Sequence, residues 1–273
     1  MRRTMNTLLP LLALLVLTGC GDDFDSRTLL KGYRVIGVIA EPPEAGPDDQ
    51  VQVTLADVNT AGATYAYRIC LFDLGPFAEY RCVSDQLEFT LEGQGNQVTV
   101  DYGPDGLNLR ALYEQYGPFL GEDGQPRTFE DGFSVLLTIE SGPPDGRRIT
   151  TITDLQVRET DTPNTNPGIT AFTVDGQPGA APAQPGAKIE LAVTLADDAL
   201  ETYDDEFRGT ITEEPVFTWY TTAGEVDPKV TFGDDRRTTL TVPKDQRGPV
   251  QVYVAVRDGR GGFATAQGMV TVP

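Results

Sequence analysis

From about residue 30 onward, large apolar residues alternate with polar ones. Val51, Val53 and Leu55 stand opposite Gln52 and Thr54, and Ile189, Leu191, Val193 and Leu195 stand opposite Lys188, Glu190 and Thr194. Val250, Val252, Val254 and Val256 form a third such row. Successive residues of an extended strand point to opposite faces, so this period of two predicts antiparallel strands with one buried and one wet face. Two hairpins are legible as well. Residues 133–140 turn through Ser141-Gly142-Pro143-Pro144-Asp145-Gly146 into residues 149–157. Residues 250–257 turn through Asp258-Gly259-Arg260-Gly261-Gly262 into residues 263–272. Glycine supplies the positive φ that such tight connections need.

The pattern occurs twice. Val53-Thr54-Leu55-Ala56-Asp57 recurs as Val193-Thr194-Leu195-Ala196-Asp197. Each copy follows a proline-rich turn (residues 42–49 and 178–186), and each turn follows a short apolar strand (33–40 and 169–174). This order predicts two copies of one fold. Between them, residues 158–168 are polar and contain Pro163 and Pro167, which predicts a stiff linker. Frequent Gly and Pro residues (29 and 20) between short segments place the chain among all-β proteins.

Three motifs carry a resemblance: Phe217-Thr218-Trp219-Tyr220, Leu240-Thr241-Val242-Pro243 and Val256-Arg257-Asp258-Gly259-Arg260-Gly261-Gly262. With them, residues 169–273 resemble a bacterial immunoglobulin-like domain of the PKD and cadherin-like group. The PKD signature Trp-Asp-Phe-Gly-Asp-Gly is replaced here by Trp219-Tyr220-Thr221-Thr222-Ala223-Gly224. Residues 30–157 resemble the same class more loosely. The resemblance implies two antiparallel immunoglobulin-like β-sandwich domains in tandem, 30–157 and 169–273, joined by the 158–168 linker. Trp219 shares a strand face with Phe217, and both are expected to fill the space between sheets.

The first thirty residues follow other rules. Arg2 and Arg3 precede a leucine-rich run over residues 8–17, which Pro10 interrupts. Crossing a bilayer takes about 20 apolar residues, so this run reads as a cleaved secretory signal. Its end, Leu17-Thr18-Gly19-Cys20, resembles the lipobox of bacterial lipoproteins. That resemblance implies a signal peptide over 1–19, acylation of Cys20 and an acidic tether over 20–29. It also implies attachment to the membrane through lipid. Gly21, in the place where aspartate marks retention in the inner membrane, implies the outer membrane of a Gram-negative bacterium.

Composition narrows the chemistry. Removing residues 1–19 takes away Arg2 and Arg3 and no acid, so the formal net charge of −20 becomes −22. Binding nucleic acid or anionic headgroups needs a basic face, which such a charge disfavours, and no nucleic-acid partner is expected. The chain contains no histidine, which removes Ser–His and Cys–His catalysis and histidine-anchored zinc. No Gly-x-Ser-x-Gly elbow and no phosphate-cradling loop is present, so no enzyme is expected.

With Cys20 assigned to lipid, Cys70 and Cys82 remain in an exported, oxidising compartment and are expected to form a disulfide. Cys70 shares its strand face with Arg68, so the expected bond is a staple between neighbouring strands on the less buried face. The long stretch 103–132 holds Leu107, Leu109, Leu112, Tyr113, Tyr116, Phe119 and Phe129. It predicts a short helix over 107–116 and a lid over one end of the first sandwich, with Tyr113, Tyr116 and Phe119 as the candidate partner surface. Asp197, Asp198, Asp204, Asp205 and Glu206 form an acidic loop, read either as solvated or as calcium ligands. No other cofactor is implied. The expectation is a non-enzymatic, membrane-anchored lipoprotein presenting two modules for adhesion, assembly or spacing at the cell envelope, toward a protein or glycan partner. The alternative is an envelope lipoprotein that binds calcium or a glycan.

Overall fold

A computed structural model describes residues 26–117, 119–120, 125–205 and 209–273. Cys20 and the rest of residues 1–25 lie outside the described residues. The first sandwich contains β1 (Arg34–Glu41), β2 (Glu44–Ala45), β3 (Gln50–Val58), β4 (Thr64–Cys70), β5 (Glu88–Leu91), β6 (Gly93–Gln94) and β7 (Gln97–Asp101). These are followed by α1 (Leu109–Tyr116), β8 (Phe119–Leu120), β9 (Pro126–Arg127), β10 (Phe133–Gly142) and β11 (Ile149–Val157). One sheet has the order β1-β3-β7-β6, and the facing sheet β2-β11-β10-β4-β5. The alternating residues meet between them: Val51, Val53 and Leu55 of β3 are buried with Val98 and Val100 of β7 and with Val135, Leu137 and Ile139 of β10.

The second sandwich repeats the plan with β12 (Ile169–Val174), β13 (Gln177–Pro178), β14 (Ala180–Pro182), β15 (Lys188–Leu195), β16 (Thr202–Asp205) and β17 (Gly209–Thr212). It continues with β18 (Val216–Thr221), β19 (Glu225–Asp227), β20 (Val230–Phe232), β21 (Arg237–Thr241), β22 (Gly248–Arg257) and β23 (Phe263–Val272). Its sheets are β13-β12-β15-β21-β19 and β14-β23-β22-β18-β20. In both sandwiches a short strand (β2, β14) runs parallel to the last strand (β11, β23). The chain is therefore an all-β tandem of immunoglobulin-like sandwiches. One step is exchanged between the copies. In the first, the edge strand beside β4 precedes the one beside β7, whereas in the second, β19 beside β21 precedes β20 beside β18.

Trp219 and Phe217 are fully buried in the second core, their ring centroids 6.5 Å apart. The indole Nε1 donates to Thr231 Oγ1 at 3.1 Å, so the one polar atom of the tryptophan is paired. In the first sandwich α1 sits as a lid, with Leu109 fully buried and Leu112 and Tyr113 packed against the core.

The stretch 158–168 departs from the expected spacer, because it is folded into a seam between the sandwiches. Asn164 is 1% exposed; its backbone N–H donates to Glu44 Oε2 at 2.7 Å and its Nδ2 to Asp258 Oδ2 at 3.0 Å. Asn166 Nδ2 donates to the Ala40 carbonyl (2.6 Å) and to Glu41 Oε2 (2.7 Å), while its Oδ1 accepts from the Phe263 N–H (2.8 Å). Asn164 Oδ1 is buried without a partner, but the other polar groups named here are paired, and their partners lie on both domains, so the linker residues fasten one to the other. Arg260 adds a charged knot, with its guanidinium 3.0 Å from Glu201, 3.2 Å from Glu213 and 3.8 Å from Glu44, and 4.3 Å from the centre of the Tyr203 ring. Burial raises the Glu213 carboxyl above its ordinary range. Leu30, Ile36, Val58 and Tyr253 form the apolar part of the seam. Of the stretch expected as a tether over 20–29, residues 20–25 lie outside the described residues, and its end is paired with the second sandwich. The Thr221 N–H donates to the Thr28 carbonyl (3.0 Å) and the Leu30 N–H to the Thr221 carbonyl (2.8 Å), so residues 28–30 extend the edge of β18.

Candidate binding finger

The connection from β4 to β5 is a miniature hairpin. The Val83 N–H donates to the Phe72 carbonyl and the Leu74 N–H to the Arg81 carbonyl, both at 2.9 Å, and Asp73 faces Cys82 across an antiparallel bridge. Cys70 and Cys82 are joined, with Cα atoms 5.6 Å apart. The disulfide thus exists between the expected cysteines, but its setting differs from the one expected. It ties the end of β4 to the returning arm of a projecting finger and does not join two neighbouring strands of the sheet. Period-two alternation put Cys70 on the less buried face, yet Cys70 is only 6% exposed, and the irregular backbone after Leu71 was not legible from the alternation.

The fingertip is built by local rules. Asp73 Oδ1 accepts from the Gly75 N–H at 2.7 Å, and Gly75 takes φ 73°, which glycine adopts freely. Pro76, with its fixed φ, opens a single 3₁₀ turn, Pro76–Ala78. Glu79 and Tyr80 then both stand at φ 55°, a conformation that strains non-glycine residues by about 1–2 kcal/mol each. The result points apolar side chains into water: Phe77 is fully exposed, Leu74 is 51% exposed, Val83 48% and Tyr80 38%. Single exposed apolar residues are ordinary; four on one covalently braced projection make an unusual apolar patch and the candidate site of this chain.

A groove of about 810 Å³ runs from the finger base (Phe72, Asp73, Tyr80) along the wet face of β10 and β11 (Leu136, Asp154, Gln156). It shares Glu44, Asp154, Gln156 and Arg158 with a cleft of about 1510 Å³ that reaches Tyr203 and Arg260 of the second sandwich. Burial, with the nearby Asp73 adding to it, holds the Asp154 carboxyl above its usual range.

The residues singled out from the sequence are dispersed. Tyr113 is tied into the lid: its hydroxyl donates to the Arg127 carbonyl at 2.6 Å and its ring lies 4.9 Å from that of Phe129. Tyr116 is 38% exposed at the end of α1, and Phe119 belongs to the β8–β9 hairpin. Asp197 and Asp198 occupy an exposed turn after β15, Asp204 accepts from the Thr210 hydroxyl at 2.6 Å on β16, and Asp205 ends that strand. Glu206 lies outside the described residues. Among the described residues no three acidic or cysteine side chains gather as a metal ion requires. The finger was missed because Phe77 reads like any core phenylalanine. The available signal was Asp73-x-Gly75-Pro76 between two cysteines, with apolar residues at every third position (74, 77, 80, 83).

No protein-family model matches this sequence, and no curated protein sequence matches it. Among solved structures it is similar to the N-terminal Ig1-2 module of the Drosophila receptor protein tyrosine phosphatase DLAR, at 12% identity and TM-score 0.29 over 89% of this chain and 99% of that one. It is similar to the two tandem V-type regions of VCBP3, a v-region-containing chitin binding protein, at 10% identity and TM-score 0.34 over 88% of this chain and 100% of that one. It is also similar to the fibronectin(III)-like modules of Clostridium thermocellum CbhA, at 12% identity and TM-score 0.25 over 86% of this chain and 94% of that one. The immunoglobulin-like assignment rests on the chain's own strand order.

Proposed function

We propose that this chain is a membrane-anchored, non-enzymatic lipoprotein of the cell envelope that holds a protein partner through its disulfide-braced finger, in adhesion or envelope assembly. The observation that carries this reading is the finger itself, with Leu74, Phe77, Tyr80 and Val83 turned outward. A rigid projection loses little entropy when it docks, and aromatic anchors entering a partner pocket supply most of the energy of many interfaces. The cross-link suits an oxidising compartment outside the cytoplasm, the same compartment to which the leader and the Leu17-Thr18-Gly19-Cys20 motif point. The seam supports the reading too. Fastened by Asn164, Asn166 and Arg260, the two sandwiches form one body that carries the finger at a fixed reach.

The test is in-cell crosslinking and pull-down with Phe77→Asp/Tyr80→Ser against the wild-type chain. Capture of the partner should fall at least tenfold while the melting temperature stays unchanged, since both side chains are exposed. Undiminished capture removes the finger from the reading. Anchoring is read separately: Cys20→Ala should abolish the acyl mass and release the chain from the membrane fraction.

A further inference from the structure

Charge on this molecule is unevenly placed. Overall it is −20, yet one groove of about 700 Å³ is lined, among the described residues, by Lys31, Arg34 and Arg147 and by no carboxylate. It lies between the start of β1 and the β10–β11 turn, with Tyr33, Ile36 and Ile149 forming its floor and walls. Among the described residues the guanidinium groups of Arg34 and Arg147 make no ion pair and no hydrogen bond, and both residues are exposed. The acid of that turn, Asp145, does not line the groove. Asp57, close by, is occupied in accepting from the hydroxyls of Tyr33 (3.0 Å) and Tyr65 (2.7 Å).

The groove also sits where the chain begins. Leu29 lines it, and Cys20 is nine residues upstream, at most about 30 Å away at full extension. Its position relative to the finger is fixed by register. Gly142 pairs with Thr64 and Leu136 with Cys70, so the basic turn and the finger stand at opposite ends of β4, roughly 20 Å apart along the strand.

We propose that the Lys31–Arg34–Arg147 groove seats the anionic phosphate of a lipid headgroup in the membrane that holds Cys20, and thereby turns the finger away from that membrane. This rests on the anchor reading given above. Guanidinium forks match phosphate oxygens in geometry and charge, and each cation near an anionic bilayer strengthens association about fivefold. Net charge alone predicts repulsion from such a surface; the local distribution reverses it at this groove, while the acidic remainder is pushed outward. The molecule is thus oriented as well as held.

The experiment uses the full mature chain with Cys20→Ser, so that no acyl chain contributes. It is sedimented with vesicles of phosphatidylglycerol and phosphatidylethanolamine or of phosphatidylcholine alone. The chain should pellet with the anionic vesicles only, less as salt rises, and Arg34→Glu/Arg147→Glu should weaken this at least tenfold with unchanged circular dichroism and melting. Equal pelleting of both chains, or none of the wild-type sequence, overturns the proposal. So does calorimetric binding of inorganic phosphate without vesicle association, which makes the groove a site for a free anion. Mass spectrometry of the cellular wild-type chain separates the two readings. An unacylated Cys20 with headgroup binding intact sinks the anchor and leaves the groove; an acylated Cys20 without vesicle binding sinks the groove alone.

Discussion

Gly37→Ala places one methyl group in the seam, and its effect can be worked out from the atoms around it. A Cβ at this position lies 2.0 Å from Cζ of Phe263, 2.4 Å from Cε2 and 2.6 Å from Cε1. Carbon atoms pack at about 3.5–4 Å, so the ring has to retreat by about 1.5 Å. Phe263 is buried and the Arg257 guanidinium stands 4.8 Å from its centroid, while the same guanidinium donates to the Ile36 carbonyl at 3.3 Å. Moving the ring therefore disturbs a second contact between the sandwiches. Backbone conformation offers no resistance, since Gly37 is not in the left-handed region, and restricting the unfolded chain favours alanine by about 0.4–1 kcal/mol. Overpacking of this kind costs about 1–3 kcal/mol, so the net loss should be about 1–2 kcal/mol, a fall in melting temperature of about 3–6 °C for a chain this size. Scanning calorimetry measures the loss. Hydrogen exchange should quicken at β1 and at the start of β23, and small-angle scattering should report a larger radius of gyration. Phe263→Val in the same chain should restore part of the stability by vacating the space. Unchanged melting and unchanged exchange in Gly37→Ala would show that Phe263 does not rest on β1, and the seam described above would be wrong.

Three further outcomes are expected. Cys70→Ala/Cys82→Ala should lower stability by about 3 kcal/mol in denaturant titration and free the finger to proteolysis between residues 72 and 83; resistance equal to wild type counts against the brace. Arg260→Ala leaves the buried Glu213 without its counter-charge and should destabilise by about 3 kcal/mol, whereas a loss within experimental error means that the carboxylates are solvated in solution. At high pH, burial, with the Asp57 carboxylate adding to it, holds Tyr33 up to about 12, and burial likewise holds Tyr67 up to about 12. A tyrosine whose folded pKa is raised contributes stability that is complete below its unfolded value of about 10 and is lost as pH climbs toward 12. Burial also holds Tyr65, Tyr102 and Tyr253 up, so melting temperature should be level below pH 10 and fall above it, with these five tyrosines ionising late in an absorbance titration; ten tyrosines ionising together near 10 contradicts this.

Much of the fold was legible because alternation is a local signal: β3, β15 and β22 could be read from their own residues, and both terminal hairpins follow from their glycines. The seam could not be read in this way. Asn164 and Asn166 have the composition of a solvated linker, and nothing within ten residues reveals that Glu44 and Ala40, more than a hundred positions earlier, receive their hydrogen bonds. The repeated pentapeptide shows the same limit. Asp57 is enclosed by Tyr33, Tyr65 and Asn96, whereas its counterpart Asp197 stands exposed in a turn, because the residues that decide their surroundings lie outside the repeat. The finger fell between these cases, since its turn chemistry was visible and the direction of Phe77 was not.

Residues 28–30 run along the second sandwich before the chain enters the first. A tension applied through the beginning of the chain thus reaches the hydrogen bonds at Thr221 and the Leu30 contact with Tyr253 before it loads β1. Two backbone hydrogen bonds and one leucine are a small barrier beside the long ladder of β1 and β3. Under load they should part first, freeing a few residues ahead of β1 while both sandwiches stay folded: a mechanical fuse set before the ladder of the first sandwich.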